Sequence, residues 1–131
     1  MASPLDQAHL LLKKAEDDWA AVQVLIESRM IADEIVGFHA QQVIEKALKA
    51  VLSKKSITFR RTHDLIELMD LLEDNGVQIP LELEKTDVLT PYAVEFRYDI
   101  LPPENVNSGR MNQSEIREIV QKALEWAKLL I

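Results

Sequence analysis

The chain has 131 residues, of which 47% are hydrophobic and 28% charged, with a formal net charge of −7 and no cysteine. This length fits one domain, which we place over residues 1–131, and the composition excludes a largely disordered chain. The absence of cysteine excludes disulfides, thiolate metal sites and a cysteine nucleophile. No apolar run is long enough to cross a bilayer and no signal-peptide pattern opens the chain, so we expect a cytoplasmic protein without a membrane partner.

Apolar residues recur with a helical period through the first half of the chain. This period predicts one helix over residues 5–29 and a second over residues 32–54. A third, shorter helix is predicted to start near Thr62, whose hydroxyl would cap free backbone N–H groups, and to stop at Asn75-Gly76. The inner faces of these helices are predicted to hold Ala8, Leu12, Ala15, Trp19, Val22, Ile26, Val36, Ala40, Val43, Ala47, Ala50, Val51, Leu65, Leu68, Met69 and Leu72.

The second half contains one ambiguous stretch, residues 81–98. Pro91 either kinks a helix there or opens a new one with Thr90 as its cap, and we favour the new helix. Residues 104–111 have a loop composition. Asn112 resembles the cap of a last helix, whose apolar stripe is Ile116, Ile119, Val120, Ala123, Leu124, Ala127 and Leu130. The pattern predicts an all-α fold, an antiparallel up-and-down bundle of four to five helices.

Charge is unevenly distributed along the chain. Six basic residues and no acidic residue lie between Lys46 and Arg61, which leaves −13 on the rest of the chain. This basic segment is a candidate for binding a phosphate group. The alternative, which we favour, is that its lysines complement the negative end of the second helix and its arginines are solvated.

Two polar groupings are candidate binding sites. His39, Gln42, Lys46 and Lys49 follow each other at helical spacing and form a polar stripe that suits a phosphate or a base edge. The alternative is a solvated face with a weak pair between Glu45 and Lys49.

The second grouping is Arg97 with Tyr98. Arginine suits bidentate phosphate recognition, and tyrosine suits base stacking. The alternative, favoured for this cluster alone, is an arginine at a helix end over Glu95 and Asp99.

No metal or cofactor is expected. A di-iron centre in a bundle needs two Glu-x-x-His pairs, and the chain offers only the unmatched Asp6-x-x-His9. The three glycines are isolated, so they form no phosphate-binding loop and no nucleophile elbow.

The sequence resembles a known family in four places. These are residues 15–18 in the first helix, residues 38–50 (FHAQQVIEKALKA) in the second, Thr62-His63-Asp64-Leu65 before the third, and Phe96-Arg97-Tyr98. On these motifs the chain resembles the HEPN domain proteins, in their small prokaryotic single-domain branch. The resemblance implies a helical bundle that forms a homodimer, with a cleft near the interface and a minimal nucleotidyltransferase as partner in a toxin–antitoxin-like pair.

Many relatives are metal-independent ribonucleases whose site is an arginine followed, after four to six residues, by a histidine. Here the corresponding positions after Arg97 hold Pro102, Pro103 and Glu104. The catalytic residues are therefore unknown, with Arg97, His39 and His63 as candidates.

Three functional hypotheses follow. The favoured one is a binding protein, the partner of a nucleotidyltransferase, that holds a nucleotide, a phosphate or RNA through Arg97, Tyr98, His39, Gln42 and Lys46. The second is a variant ribonuclease that uses Arg97 with a non-standard histidine. The third is a bundle that acts only in protein contact.

Overall fold

The computed structural model describes residues 3–28, 33–92 and 113–131, with side chains throughout except at 87–92. The helices in chain order are α1 (Pro4–Glu27), α2 (Asp33–Lys54), α3 (Leu65–Asp74), a 3-10 helix (Leu81–Tyr92) and α4 (Gln113–Leu130). These ranges contain no strand. The prediction of an all-α bundle of four to five helices is confirmed.

Helix α2 is the centre of the bundle, because it contacts each of the other four helices. The core is formed by the apolar stripes of α1 to α4 together with Leu83 of the 3-10 helix. All predicted core positions except Ala8 lie in it, with Trp19 and Leu130 half-buried at its edge, and Ala8 is buried outside this cluster. Helical periodicity therefore located the core correctly.

Helices α1 and α4 run antiparallel. The Arg117 guanidinium is 2.6 Å from the Glu27 carboxylate, and the Lys128 ammonium is 3.0 Å from the Glu16 carboxylate. As α4 advances from Arg117 to Lys128, its partners on α1 move back from Glu27 to Glu16. This reversal is the up-and-down order of a bundle.

The predicted cap of the third helix is wrong. Helix α3 begins at Leu65, and its cap is Asp64, whose carboxylate accepts from the backbone N–H groups of Ile66 and Glu67 at 3.0 and 3.2 Å. Thr62 is buried instead, and its hydroxyl accepts from the Asp64 N–H at 3.0 Å. The Asp64 carboxylate accepts from two N–H groups of the first turn, and its negative charge is also attracted to the positive end of the helix dipole. A hydroxyl has no charge and lacks this second contribution.

The 3-10 helix includes both Thr90 and Pro91, so the favoured prediction of Thr90 as the cap of a new helix is wrong. Residues 93–98 of that predicted helix lie outside the described residues. The fixed φ of proline lies within the 3-10 range, and near the end of the helix the missing N–H removes a single bond. Leu83 and Thr86 are buried at a spacing of three, which matches a helix of three residues per turn. The predicted loop at 104–111 and the Asn112 cap lie outside the described residues.

Candidate functional site: the Glu45 cluster

A carboxylate lies inside the apolar stripe of α2. Glu45 is 4% exposed, and Gln41, one turn before it, is fully buried. Leu48 and Leu52 continue the same stripe and are also fully buried. Gln41 and Glu45 occupy positions at which the helical period predicts apolar residues. This departure from the period is the sequence signal by which the site could have been found.

Both oxygens of the Glu45 carboxylate have a partner. Oε1 is 2.9 Å from Nδ1 of His63, and Oε2 accepts from the Lys49 ammonium at 2.9 Å. Lys49 also lies over the Phe59 ring, with Nζ 5.9 Å from the ring centre. A buried carboxylate is costly unless it is paired and hydrogen-bonded, and here both conditions are met.

His63 is held to α2 at two points. Its ring contacts Glu45, and its backbone carbonyl accepts from the side-chain amide of Gln41 at 2.8 Å. The side chain nevertheless remains 60% exposed. We call Gln41, Glu45, Lys49 and His63 the Glu45 cluster. In this cluster the imidazole of His63 is held by residues of α2 and is still accessible to solvent.

The connection from α2 to α3 explains how His63 reaches this position. Ser56 adopts a left-handed conformation, with φ of 58°, and the Ile57 N–H donates to the Leu52 carbonyl at 2.9 Å. This pattern ends a helix and turns the chain back along it. The segment then passes beside α2 and enters α3 at the Asp64 cap.

A sequence model of the HEPN domain matches residues 8–130, which is nearly the whole chain. The chain belongs to the HEPN domain family. The predicted family is therefore confirmed.

One curated relative shares a shorter stretch with this HEPN protein. It is a protein of Methanocaldococcus jannaschii named "Putative toxin MJ1304", with 43% identity over 54 residues. The matched stretch covers 41% of this chain and 34% of the relative, so the chain spans about a third of that protein's length. No solved structure matches the chain.

The predicted polar stripe of the HEPN domain is divided between different partners. The Lys46 ammonium pairs with Asp18 of α1. Lys49 pairs with Glu45, as the alternative of a solvated face predicts, but the side chains of this pair are only 14% and 5% exposed. Gln42 donates to the side-chain oxygen of Gln41 at 3.3 Å. The structure does not gather these side chains around one ligand position.

His39, the fourth member of that stripe, is half-buried. Its ring lies edge-on to Phe38, with 5.5 Å between ring centres. Of the two histidines considered as proton carriers, His63 is therefore the more exposed.

Half of the basic segment is neutralised by carboxylates. Besides Lys46 and Lys49, Arg60 forms two bonds to Glu67, at 2.7 and 2.5 Å. The hydrogen bond and the charge of Glu67 raise the pKa of Arg60 above its ordinary value. Lys54, Lys55 and Arg61 remain exposed, so the positive surface is smaller than the sequence alone indicated.

Arg97 and Tyr98 lie outside the described residues, and their predicted roles stay predictions. Within the described part of the chain, no three carboxylate or imidazole side chains come together as they would to hold a metal ion. No helix in that part is long and apolar enough to cross a membrane.

Proposed function

We propose that this HEPN protein is one half of a toxin–antitoxin-type pair and that it binds RNA or a nucleotide at the Glu45 cluster. One observation carries the proposal: the His63 side chain is 60% exposed, whereas the Glu45 side chain that holds its ring is only 5% exposed. A histidine needed only for packing would cover its ring. Here buried polar groups are used to orient a ring toward solvent, which is typical of a binding site.

The toxin–antitoxin role is supported by family membership and by the name of the archaeal relative. As partners we propose a second copy of the chain and a minimal nucleotidyltransferase. In this proposal Arg97 and Tyr98 supply further phosphate and base contacts. Light scattering on the purified protein tests the homodimer, which has twice the 15.0 kDa mass of the chain.

Binding is tested with a fluorescently labelled single-stranded RNA followed by anisotropy. The chain carries a net charge of −7, which disfavours non-specific binding of polyanions. RNA binding that persists at moderate salt would therefore indicate a specific site. We expect His63→Ala to weaken binding several-fold. His9→Ala is the matched control, because His9 is an exposed histidine on α1. Equal affinities of both variants and the wild type would contradict the proposal.

A second candidate function is metal-independent RNA cleavage. It is favoured by the fixed and accessible ring of His63, which is a suitable proton carrier in a chain that lacks the family's usual histidine. The test is RNA cleavage in EDTA by the wild type, Arg97→Ala and His63→Ala, with analysis of the product ends. Cleavage lost in both variants supports an enzyme, and a wild type that binds without cleaving leaves the binding function alone.

A further inference from the structure

The two ring nitrogens of His63 have different surroundings. Nδ1 is 2.9 Å from the Glu45 carboxylate, whose second oxygen accepts from the Lys49 ammonium. A carboxylate in an ion pair is an acceptor only, so the ring must donate through an Nδ1–H group. The contact with Glu45 therefore selects one tautomer of the neutral imidazole.

The selected tautomer determines what His63 offers to a ligand. With the proton on Nδ1, the neutral ring carries its lone pair on Nε2, which does not contact Glu45. This nitrogen accepts hydrogen bonds and does not donate them. A phosphate oxygen is also an acceptor and gains nothing from such a partner, whereas a hydroxyl group donates to it.

We infer that Glu45 positions His63 as an acceptor for the ribose 2′-hydroxyl and thereby makes His63 the residue that selects ribonucleotides over deoxyribonucleotides. The 2′-hydroxyl is the group by which a protein distinguishes RNA from DNA at a given site. This inference rests on the proposed binding function. His63 is the specificity-determining residue, and Glu45 is a positioning residue that acts through it.

The tautomer is measured without any ligand, from the ¹⁵N shifts of the His63 ring at pH 8. The wild type is expected to show a protonated Nδ1 and an unprotonated Nε2. Glu45→Gln alone would leave Lys49 without its counter-ion, so the variant to use is Glu45→Gln combined with Lys49→Met, which removes both charges together. In this double variant we expect a mixture of tautomers, because an amide donates as well as accepts.

Specificity is measured with single-stranded RNA, DNA and 2′-O-methyl RNA of one sequence. We expect the wild type to prefer RNA over both other probes by about three- to tenfold, the effect of one hydrogen bond. His63→Ala is expected to bind all three probes with nearly equal affinity, and the double variant, with its mixture of tautomers, is expected to keep only part of the preference. Asp17→Asn, an acid-to-amide exchange in the exposed Lys13 pair on α1, is the matched control and is expected to keep the preference.

The possible outcomes separate the inference from the proposed function. A wild type that binds RNA and DNA equally, or whose His63 carries its proton on Nε2, overturns the inference and leaves RNA binding intact. A wild type that binds none of the probes overturns the proposed function and the selectivity with it. His63 is exposed, so His63→Ala keeps the test valid even where the double variant fails to fold.

Discussion

Two ion pairs of this protein share the same helical spacing and nearly the same length but differ in burial. Lys13 and Asp17 on α1 are 2.8 Å apart with side chains 69% and 64% exposed. Lys49 and Glu45 on α2 are 2.9 Å apart with side chains 14% and 5% exposed. Opposite charges at the same spacing, in opposite order along the chain, therefore form a solvated pair on one helix and part of a polar cluster on the next.

The difference shows that an ion pair acquires its role from its surroundings. Water screens the pair on α1, and such pairs contribute little to stability. The pair on α2 has lost most of its water, so each charge depends on the other, and Glu45 depends also on His63. Burial turns a helix-surface pair into the support of an exposed ring.

The largest expected effect is that of Glu45→Ala. It leaves the Lys49 side chain, which is 14% exposed, without its carboxylate and the His63 ring without its acceptor, so the free energy of unfolding should fall by about 3 kcal/mol, the lower end for breaking a buried pair. Urea denaturation at pH 7 measures this change. Asp17→Ala removes the carboxylate of the exposed pair and should leave the midpoint at the wild-type value; equal losses in the two variants would break the comparison.

A smaller effect is expected for Gln41→Leu, which keeps the volume of the side chain but removes the donor to the His63 carbonyl. The loss should be about 1 kcal/mol, the net value of one hydrogen bond. The same exchange at Gln23, which is exposed on α1, is the control. If both variants unfold at the same urea concentration, the hydrogen bond from Gln41 to the His63 carbonyl does not contribute to stability.

Removing the two helix caps extends the comparison. Asp64→Ala, next to the cluster, should cost about 1 kcal/mol in unfolding free energy because two N–H groups of α3 lose their acceptor. The Ser3 hydroxyl accepts from one N–H group of α1, that of Asp6, so Ser3→Ala should cost less. A larger loss for Ser3→Ala than for Asp64→Ala would contradict this order.

The smallest expected effect concerns the exposed pair. The hydrogen bond and the charge of Asp17 raise the pKa of Lys13 above 10.5. Because the pKa is raised in the folded state, the contribution of the pair is complete below pH 10.5 and disappears as the pH rises through the folded value. An NMR titration of the Lys13 side chain should show the raised pKa, and 1 M salt or Asp17→Asn should bring it back toward 10.5. A pKa that does not respond to either change would show that Asp17 is not the cause.

The fold was predictable from the sequence and the site only in part. Apolar periods of three and four residues located the helices and the core, because each helix buries one face. The contact between Glu45 and His63 joins residues 18 positions apart across a non-helical connection. The periodicity of apolar residues does not predict the path of such a connection, so it could not place His63 beside Glu45. The cap of α3 is hidden for a similar reason, since Thr62 and Asp64 are both residue types that cap helices and only the backbone path distinguishes them.

His63 is anchored at its ring and at its carbonyl to two residues of α2, Glu45 and Gln41, which lie one helical turn apart. The position of the ring is therefore dictated by a rigid helix and not by the length of the connection that carries it. An insertion between Arg60 and Arg61 lies beyond Ile57 and Phe59, which pack against the core, so it costs mainly closure entropy, about 0.6 kcal/mol for each doubling of the length of the connection. Such an insertion should therefore be tolerated with the ring in place.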